Sequence, residues 1–368
     1  MREFFDARGS LRGLAFLRIG LGPLVIYSLW PYLREVAAGT WYGGRYHAPY
    51  ITWIPTLPAT AWHAIIVAGA AAGVLVGLGL FARTACVTAA SVIGINMLLS
   101  ETHYHHNRAV LVIVLLLSAL AGPARELSLD ARLARHRDSG GPAGDGLLWP
   151  LWLLRFELAS TYLASGTSKL LDPDWRGGIV TWDRVLQARP ILDRSPLPTA
   201  FIELISREDV HWFFGKSAIA LELFVGLGLW NRRTRLAAVW CALIFHVLVE
   251  VSAHVQVFSY LCLAALAIWA VPSARDRRVI VRAGARGSGR VLWIAQKLDW
   301  LARFEVDSTS AKDAPALLLI DRDGQRFTSG AALRRLLLRL PLTFWPTFAL
   351  SVPGIAGLVE RQLARLVP

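Results

Sequence analysis

The stretch AWHAIIVAGAAAGVLVGLGL, residues 61–80, carries no Asp, Glu, Lys or Arg and is almost entirely apolar. In an α-helix, about 20 such residues cover about 30 Å, which matches the hydrocarbon core of a bilayer. The stretch therefore predicts a membrane-spanning helix, and similar apolar runs recur before residue 272. The predicted spans are residues 13–33, 61–80, 84–100, 109–123, 147–170, 212–230, 234–251 and 257–271.

The composition of the whole chain favours the same class of protein. Of its 368 residues, 55% are hydrophobic and 18% are charged, whereas roughly a quarter of the residues in a soluble domain are charged. The 15 Trp residues suit the membrane–water interface. The net charge of +13 fits loops that face anionic lipid. We predict an all-α polytopic membrane bundle of about eight transmembrane helices, with the lipid bilayer as partner and no nucleic acid.

The distribution of arginine predicts the orientation of this bundle. Most arginines of the short loops fall on one side, and the short loops of the other side hold only Arg34, Arg45 and Arg108. This bias predicts cytoplasmic N- and C-termini in a cytoplasmic (inner) membrane. The first apolar run contains Arg18 and lacks a small-residue cleavage site. We interpret it as a retained helix and not as a signal peptide.

The composition changes after residue 272, which predicts two domains, residues 1–272 in the membrane and a small α/β cytoplasmic domain over residues 273–368. Residues 276–282 and 316–321 have the pattern of short strands, and residues 331–340 that of a basic amphipathic helix.

The segment 342–365 is apolar but contains Pro346 and Pro353. It is either a ninth span or a helix that lies on the membrane or packs on the small domain. We favour the second interpretation, because two prolines interrupt a span.

The fifth predicted span is unusually polar. Residues 157–178 are ELASTYLASGTSKLLDPDWRGG, and a helix that faces lipid on all sides does not tolerate so many polar groups. Arg155, Tyr162 and Lys169 are seven residues apart and therefore share one helix face. Two interpretations of Lys169 stay open: its ammonium extends to the headgroups, or it is a desolvated lysine that acts as a base.

Histidines form two further groups of candidate functional residues. These are His103, His105, His106 and Asn107 within ETHYHHNR, and His246, Glu250 and His254, which are spaced four apart. No HExxH motif accompanies them, and Cys86, Cys241 and Cys262 lie in apolar runs without a CxxC pair. We therefore expect no metal and no disulfide. Neutral histidines suit hydrogen bonding or proton transfer.

Glu222 is an acidic residue within the sixth predicted span. A carboxylate inside a membrane needs a partner, and Arg18, Arg155 or a histidine could supply one.

Residues 165–178 resemble the vitamin K-dependent γ-carboxylase-like membrane family, whose bacterial members are called horizontally transferred transmembrane (HTTM) domain proteins. The motif is Ser165-Gly166-Thr167-Ser168-Lys169-Leu170, then Asp172-Pro173-Asp174-Trp175 and Gly177-Gly178. The animal carboxylases have small-Gly-x-Lys-Lys-Leu followed by Asp-x-Asp-Trp-x-x-Gly. Their second lysine corresponds to Lys169. Ser168 replaces the first lysine, and one extra residue precedes Asp172.

The resemblance implies a membrane enzyme in which Lys169 deprotonates a reduced quinone, such as menaquinol or a vitamin K-like quinol. Looser matches are His105-His106-Asn107 leading to Ser128-Leu129-Asp130, Glu222, and Phe245-His246 before Phe258-Ser259-Tyr260. The catalytic residues implied are Lys169, His106 and His246. The substrate-binding residues implied are Tyr162, Trp175, His105, Asn107, Glu222 and His254. A peptide or protein substrate is a further expectation, although no counterpart of the animal enzymes' lumenal propeptide-binding domain is expected.

The tail resembles the small thioredoxin-like domains of the DCC-type thiol–disulfide oxidoreductase-like group. Their Asp-Gly-x-Cys-x-x-Cys run corresponds to residues 283–289, where Arg286 and Gly289 stand at the cysteine positions. Dithiol exchange requires both thiols. The resemblance therefore implies a degenerate domain, kept for structure or for contact with a partner.

Two hypotheses about function follow, and a third is less favoured. The first is a membrane enzyme with a quinol or lipid-like substrate. The second is a non-catalytic maturation, export or immunity partner in which Lys169 pairs with Asp172 or Asp174. A transporter is less favoured, because the sequence lacks two corresponding halves with broken helices.

Overall fold

The computed structural model describes residues 5–41, 48–50, 52–53, 55–122, 126–137, 145–253, 255–311, 313–352 and 354–366. Residue contacts divide the chain into two compact units, Met1–Ala270 and Val271–Pro368. The predicted boundary, after residue 272, lies two residues beyond this division.

The first unit is helical. Its helices are α1 (Arg12–Ala37), α2 (Ala59–Leu78), α3 (Ala82–Leu99), α4 (His106–Ala121), α5 (Leu129–Arg137), α6 (Trp149–Leu171), α7 (Pro173–Gly177), α8 (Ile179–Leu192), α9 (Thr199–Ile205), α10 (His211–Gly228), α11 (Arg235–Ala253), α12 (Val257–Ala265) and α13 (Ala267–Ala270). Short 3-10 turns lie at Glu101–His103 and Glu208–Val210. Each predicted span coincides with a helix, except that the last one contains both α12 and α13.

Length and composition identify the helices that can cross a membrane. Among the described residues, four stretches are long and apolar enough, namely Arg12–Ala37, Ala59–Leu78, Ala82–Leu99 and Glu208–Gly228. The apolar stretches His106–Ala121 and Val257–Ala270 are shorter. The chain is therefore a helical membrane protein, and the total of about eight crossings stays a prediction.

Helices α1 and α2 approach closely because glycines meet between them. A Cβ on Gly22 would lie 2.6 Å from the Cα of Gly77, so a larger residue would force the two backbones apart. Arg18 of α1 is fully buried beside this contact. It donates to the carbonyl oxygens of Val76, Gly77 and Leu127 at 2.7, 2.6 and 2.6 Å. Its charge thus lies at the C-terminal end of α2, where a helix dipole favours a cation.

Two features of the first unit were not predicted in full. Strands β1 (Arg8–Ser10) and β2 (Asp145–Leu147) pair antiparallel and bring together the segments that lead into α1 and α6. The connection between α6 and α10 contains three short helices, α7, α8 and α9, which lie outside the predicted spans.

The second unit contains a mixed four-stranded sheet. Its strands are β3 (Arg277–Arg282), β4 (Phe304–Thr309), β5 (Leu317–Ile320) and β6 (Arg326–Thr328), in the spatial order β4-β3-β5-β6. Strands β3 and β4 are parallel, and the other two pairs are antiparallel. Helix α14 (Ser288–Lys297) makes the crossover that the parallel pair requires, and α15 (Ser329–Leu337) follows β6.

The buried face of this sheet explains which of its elements were predicted. Val279, Val281, Leu317 and Leu319 are almost fully buried and pack with Leu336 of α15. These apolar runs made β3, β5 and α15 recognisable. Strands β4 and β6 are more polar and lie at the two edges of the sheet, so their sequences lack a comparable signal.

The described residues of the segment 342–365 form two short helices, α16 (Phe344–Ala349) and α17 (Ala356–Ala364), and among them no single helix runs through the segment. Helix α17 packs on α15: a Cβ on Gly330 would lie 2.0 Å from the carbonyl oxygen of Glu360. In addition, Arg334 Nε donates to Glu360 Oε1 at 2.7 Å. Helix α17 therefore packs on the small domain, which is one of the two arrangements within the favoured interpretation.

Candidate functional site

Helix α6 carries three polar residues that bind different neighbours along one face. Arg155 is 8% exposed and donates from Nε and Nη2 to the carbonyl oxygen of Ile268 at 3.1 and 2.6 Å. Its guanidinium also lies 5.2 Å from the ring centroid of Trp269. Tyr162 and Lys169 follow on the same face and contact α11 and α10. The polar fifth span therefore faces other helices, as its composition predicted.

Lys169 forms an ion pair with Glu222 between α6 and α10. Its Nζ lies 2.6 Å from Oε1 and 2.7 Å from Oε2 of Glu222. Ser165, one turn earlier in α6, accepts from Nζ at 2.7 Å and donates to Glu222 Oε1 at 3.2 Å. The side chains are only 16% and 5% exposed, so little water screens the pair. In this arrangement the ammonium of Lys169 is held by a buried carboxylate, which differs from the interpretation in which it extends freely to the headgroups.

These partners differ from those that the sequence suggested. Among the described residues, Glu222 is bound by Lys169, and neither by a histidine nor by Arg18 or Arg155. The Lys169 ion pair does not involve the aspartates that follow it. Asp172 instead caps α7, accepting from the backbone N–H of Asp174 at 2.9 Å. Asp172 and Asp174 lie close to Lys169 in the sequence, but the acidic partner of Lys169 comes from another helix.

Trp175 lies against the ammonium of Lys169. Nζ is 4.8 Å from the ring centroid, which is within the range of a cation–π interaction. Two glycines hold this turn against the start of α10. Gly178 has φ +89°, and a Cβ there would lie 2.2 Å from the carbonyl carbon of His211. A Cβ on Gly215 would lie 2.2 Å from the carbonyl oxygen of Trp175. The glycines therefore position the tryptophan.

Tyr162 and His246 form a second buried pair, between α6 and α11. Tyr162 Oη lies 2.6 Å from His246 Nε2, and the two residues are 6% and 0% exposed. The rings of Phe245 and Phe258 meet the imidazole edge-on, with centroids 5.4 and 5.8 Å away. His246 Nδ1 is buried and has no hydrogen-bond partner among the described residues. This nitrogen is thus a buried polar atom in apolar surroundings.

The histidine loop is held by contacts of its own. The rings of His105 and His106 stack with centroids 4.6 Å apart, and His105 Nδ1 accepts from the backbone N–H of Asn107 at 3.2 Å. Asn107 Nδ2 donates to the carbonyl oxygen of Val255 at 3.1 Å. Burial, His106 and Arg108 lower the pKa of His105. Each of these causes favours the neutral form of the His105 imidazole.

Not every predicted site residue joins the group around Lys169. In the described part of the chain, His106 stacks on His105 and makes no contact with Lys169, so a joint catalytic role of His106 and Lys169 stays a prediction. Glu250 accepts from the backbone N–H of Gln256 at 2.9 Å. His254 lies outside the described residues. Within the described ranges, no group of three or more His, Cys, Asp or Glu is arranged to hold a metal.

A polar network among α1 to α4 was not predicted. Trp62 Nε1 donates to Asn96 Oδ1 at 3.1 Å, and the carbonyl oxygen of Asn96 lies 3.1 Å from His103 Nδ1. Arg108 donates to the carbonyl oxygen of His103 at 3.1 Å and to the hydroxyl of Tyr32. An asparagine inside an apolar span was the signal that could have located this network.

Ser128 and Asp130, which the family resemblance singled out, have capping roles. Ser128 Oγ accepts from the backbone N–H of Ala131 at 3.0 Å. The carboxylate of Asp130 accepts from the backbone N–H groups of Phe81 and Ala82 at 2.9 and 3.0 Å. Asp130 thus stabilises the N-terminus of α3, where orphan N–H groups need acceptors.

Together, these features define a class of protein: a polytopic helical membrane protein with a charged pair and a tyrosine–histidine pair in its interior. The chain belongs to the HTTM family, because the HTTM domain matches residues 10–273. The match includes the lysine motif, Glu222 and His246, and it ends at the start of the second unit. Comparisons with curated proteins and with solved structures find no match. The family resemblance is thereby confirmed, and the thioredoxin-like tail stays a prediction.

Proposed function

We propose that the HTTM bundle is a membrane enzyme that acts on a reduced quinone or another lipid-like substrate, with Lys169 as base. The observation that carries the proposal is the Lys169–Glu222 ion pair beside Trp175. Ionisable groups inside a membrane protein are costly and commonly mark functional sites. Apolar residues of similar volume would join two helices equally well, so a purely structural purpose accounts poorly for the pair.

The side chains near the pair suit a quinol. The indole of Trp175 offers an aromatic face, and Lys169 together with His246 Nδ1 offers polar atoms for hydroxyl groups. A bound quinol would supply a weakly acidic hydroxyl and reducing electrons. The apolar rings around His246 suit the carbon skeleton of such a molecule.

Glu222 gives Lys169 a route to the neutral form that a base requires. Transfer of one proton from Nζ to the carboxylate leaves an amine and a carboxylic acid, which tolerate low dielectric better than two charges. The amine then accepts the proton of a substrate hydroxyl and becomes an ammonium beside the negative substrate oxygen. Ser165 orients the ammonium, and the face of Trp175 stabilises its charge.

Sequence patterns support the remaining parts of the proposal. The arginine distribution supports an inner-membrane location with cytoplasmic termini, and the family resemblance supports a peptide or protein as a second substrate. The parallel β3–β4 pair with its α14 crossover and the antiparallel β5–β6 pair support a thioredoxin-like second unit. That unit is proposed to contact a partner, since Arg286 and Gly289 stand at the cysteine positions.

The test is turnover by the purified protein in nanodiscs with menaquinol, oxygen and bicarbonate, followed by quinol absorbance and by mass spectrometry for an epoxide. Lys169→Ala is expected to lower the rate by about 100-fold or more. Lys216→Ala is the matched control, because Lys216 Nζ also lies 4.9 Å from a tryptophan ring, that of Trp212, but is exposed. Equal turnover by folded Lys169→Ala protein would refute the proposal.

A second candidate function is a non-catalytic membrane partner protein. The observation behind it is that the same ion pair ties α6 to α10, although apolar residues could join these helices as well. The exchanged variant Lys169→Glu/Glu222→Lys separates the two functions: it restores a purely structural pair but displaces the base. Full activity of the exchanged protein in cells would favour the non-catalytic function. A transporter, the third candidate, predicts substrate flux in proteoliposomes.

A further inference from the structure

The C-terminal segment of the second unit exposes an unusual amount of apolar surface. Six large side chains between residues 342 and 358 are 46–57% exposed, namely Leu342, Phe348, Leu350, Val352, Ile355 and Leu358. Scattered apolar side chains are common on soluble surfaces, but a concentration in one short segment marks an interaction site.

The segment is also uncharged over a length that is rare on a water-facing surface. Residues 340–359 contain no Asp, Glu, Lys or Arg. In contrast, Arg361 and Arg365 follow directly and are exposed on or at the end of α17. An apolar surface bordered by exposed arginines is typical of helices that lie in the interface of an anionic bilayer.

The apolar surface is attached to the folded core of the second unit. Helix α17 is held to α15 by the bond from Arg334 to Glu360, and Leu363 packs against the core of the second unit. Leu358 of the same helix is 52% exposed. The helix thus packs one side against its own domain and leaves another apolar side exposed.

Charge and chain connectivity both favour lipid as the partner that covers this apolar surface. Residues 271–368 contain 16 Arg and Lys against eight Asp and Glu, a net charge of +8, which complements anionic headgroups. Helix α13 ends at Ala270 and β3 begins at Arg277. The six residues between them can span at most about 20 Å. The second unit is therefore tethered by a short linker to the predicted membrane bundle.

We propose that residues 342–366 form a membrane-docking surface, in which the exposed apolar side chains enter the interface of an anionic bilayer and Arg361 and Arg365 contact lipid phosphates. The surface belongs to the second unit, so the proposal is independent of any activity at Lys169.

Site-directed spin labelling of the full chain tests the docking surface. Nitroxide labels are placed at Leu350→Cys and Leu358→Cys, with Gln325→Cys, an exposed residue of the β5–β6 turn, as control. All are made in a Cys241→Ser background, because Cys241 is partly exposed while the other two cysteines are buried. Collision rates with lipid-soluble oxygen and with a water-soluble nickel chelate are measured in phosphatidylcholine liposomes with and without phosphatidylglycerol.

Docking predicts more oxygen collisions and fewer nickel collisions at the two test sites than at residue 325, most clearly with phosphatidylglycerol present. Each of Arg361→Glu and Arg365→Glu should lower the inserted fraction roughly fivefold. Nickel access equal to that at residue 325 would overturn the proposal, because the surface would then face water. Protection from both reagents would also overturn it, because protein, such as a second copy of the chain, would then cover the surface.

Discussion

Lys169 and Glu222 lie 53 residues apart in the chain, yet Nζ of the lysine is 2.6 and 2.7 Å from the two carboxylate oxygens of the glutamate. The contact joins the C-terminal turns of α6 to the middle of α10, and a serine hydroxyl and an indole ring complete the surroundings of the ammonium. Both charges are largely removed from water, so each is stabilised mainly by the opposite charge of the other.

Removing one charge of this pair should destabilise the protein more than removing both. Glu222→Gln is expected to lower the free energy of unfolding by about 3 kcal/mol, because the ammonium of Lys169 loses its counter-charge. Lys169→Met/Glu222→Leu should recover most of the loss. Unfolding in mixed detergent micelles measures both, and the exposed-site control Lys216→Met should change stability by less than about 0.5 kcal/mol. A double variant as unstable as Glu222→Gln would contradict this account.

The Tyr162–His246 pair predicts a large effect for the loss of a single hydroxyl. Tyr162→Phe should lower the free energy of unfolding by about 2 kcal/mol, since it leaves Nε2 of the buried imidazole without its partner. Tyr104→Phe is the control, because Tyr104 is 50% exposed and water can replace its bonds. The same unfolding assay applies, and indistinguishable losses in the two variants would count against the pair.

Adjacent glycines should respond differently to alanine. Gly178→Ala is expected to cost about 3 kcal/mol or more, because φ is +89° and a Cβ would lie 2.2 Å from the carbonyl carbon of His211. Gly177→Ala should be nearly neutral, since nothing lies within 4 Å of its Cβ position. Thermal unfolding compares the two. In the Gly178 variant the turn should be displaced, so the fluorescence of Trp175 should also change. Similar melting temperatures of the two variants would argue against this packing.

The second unit should lose stability in acid through Asp321. Burial raises the pKa of Asp321, but the backbone N–H of Arg322 and the guanidinium groups of Arg277 and Arg339 outweigh burial and lower it overall. The carboxylate thus binds protons less readily when folded. The contribution of Asp321 to the stability of the second unit is therefore fully present above the ordinary pKa of about 3.9. It disappears as the pH falls through the lower pKa of the folded state.

Asp321→Asn should therefore weaken the sheet at neutral pH by about 2 kcal/mol and flatten its acid dependence. Hydrogen exchange of the β3 and β5 amides in the full chain, between about pH 3 and pH 6, measures this effect. Asp323→Asn, in the exposed turn, is the control. An unchanged acid dependence in Asp321→Asn would show that another carboxylate controls it.

Much of the fold could be predicted, because hydropathy and helix periodicity are local properties. All eight apolar stretches are helical, and the seven-residue spacing correctly placed Arg155, Tyr162 and Lys169 on one face of α6. The strands β4 and β6 were missed, since edge strands bury few side chains and show little apolar alternation.

By itself, the sequence determined the membrane class, the positions of the long apolar helices and the lysine motif, because each depends on residues close together in the chain. Only the tertiary structure decided the partners: Glu222 for Lys169, His246 for Tyr162, and Ile268 for Arg155. Separations of 53 to 113 residues divide these pairs. Which polar groups meet inside the bundle depends on which helices pack as neighbours, and no local pattern encodes that choice.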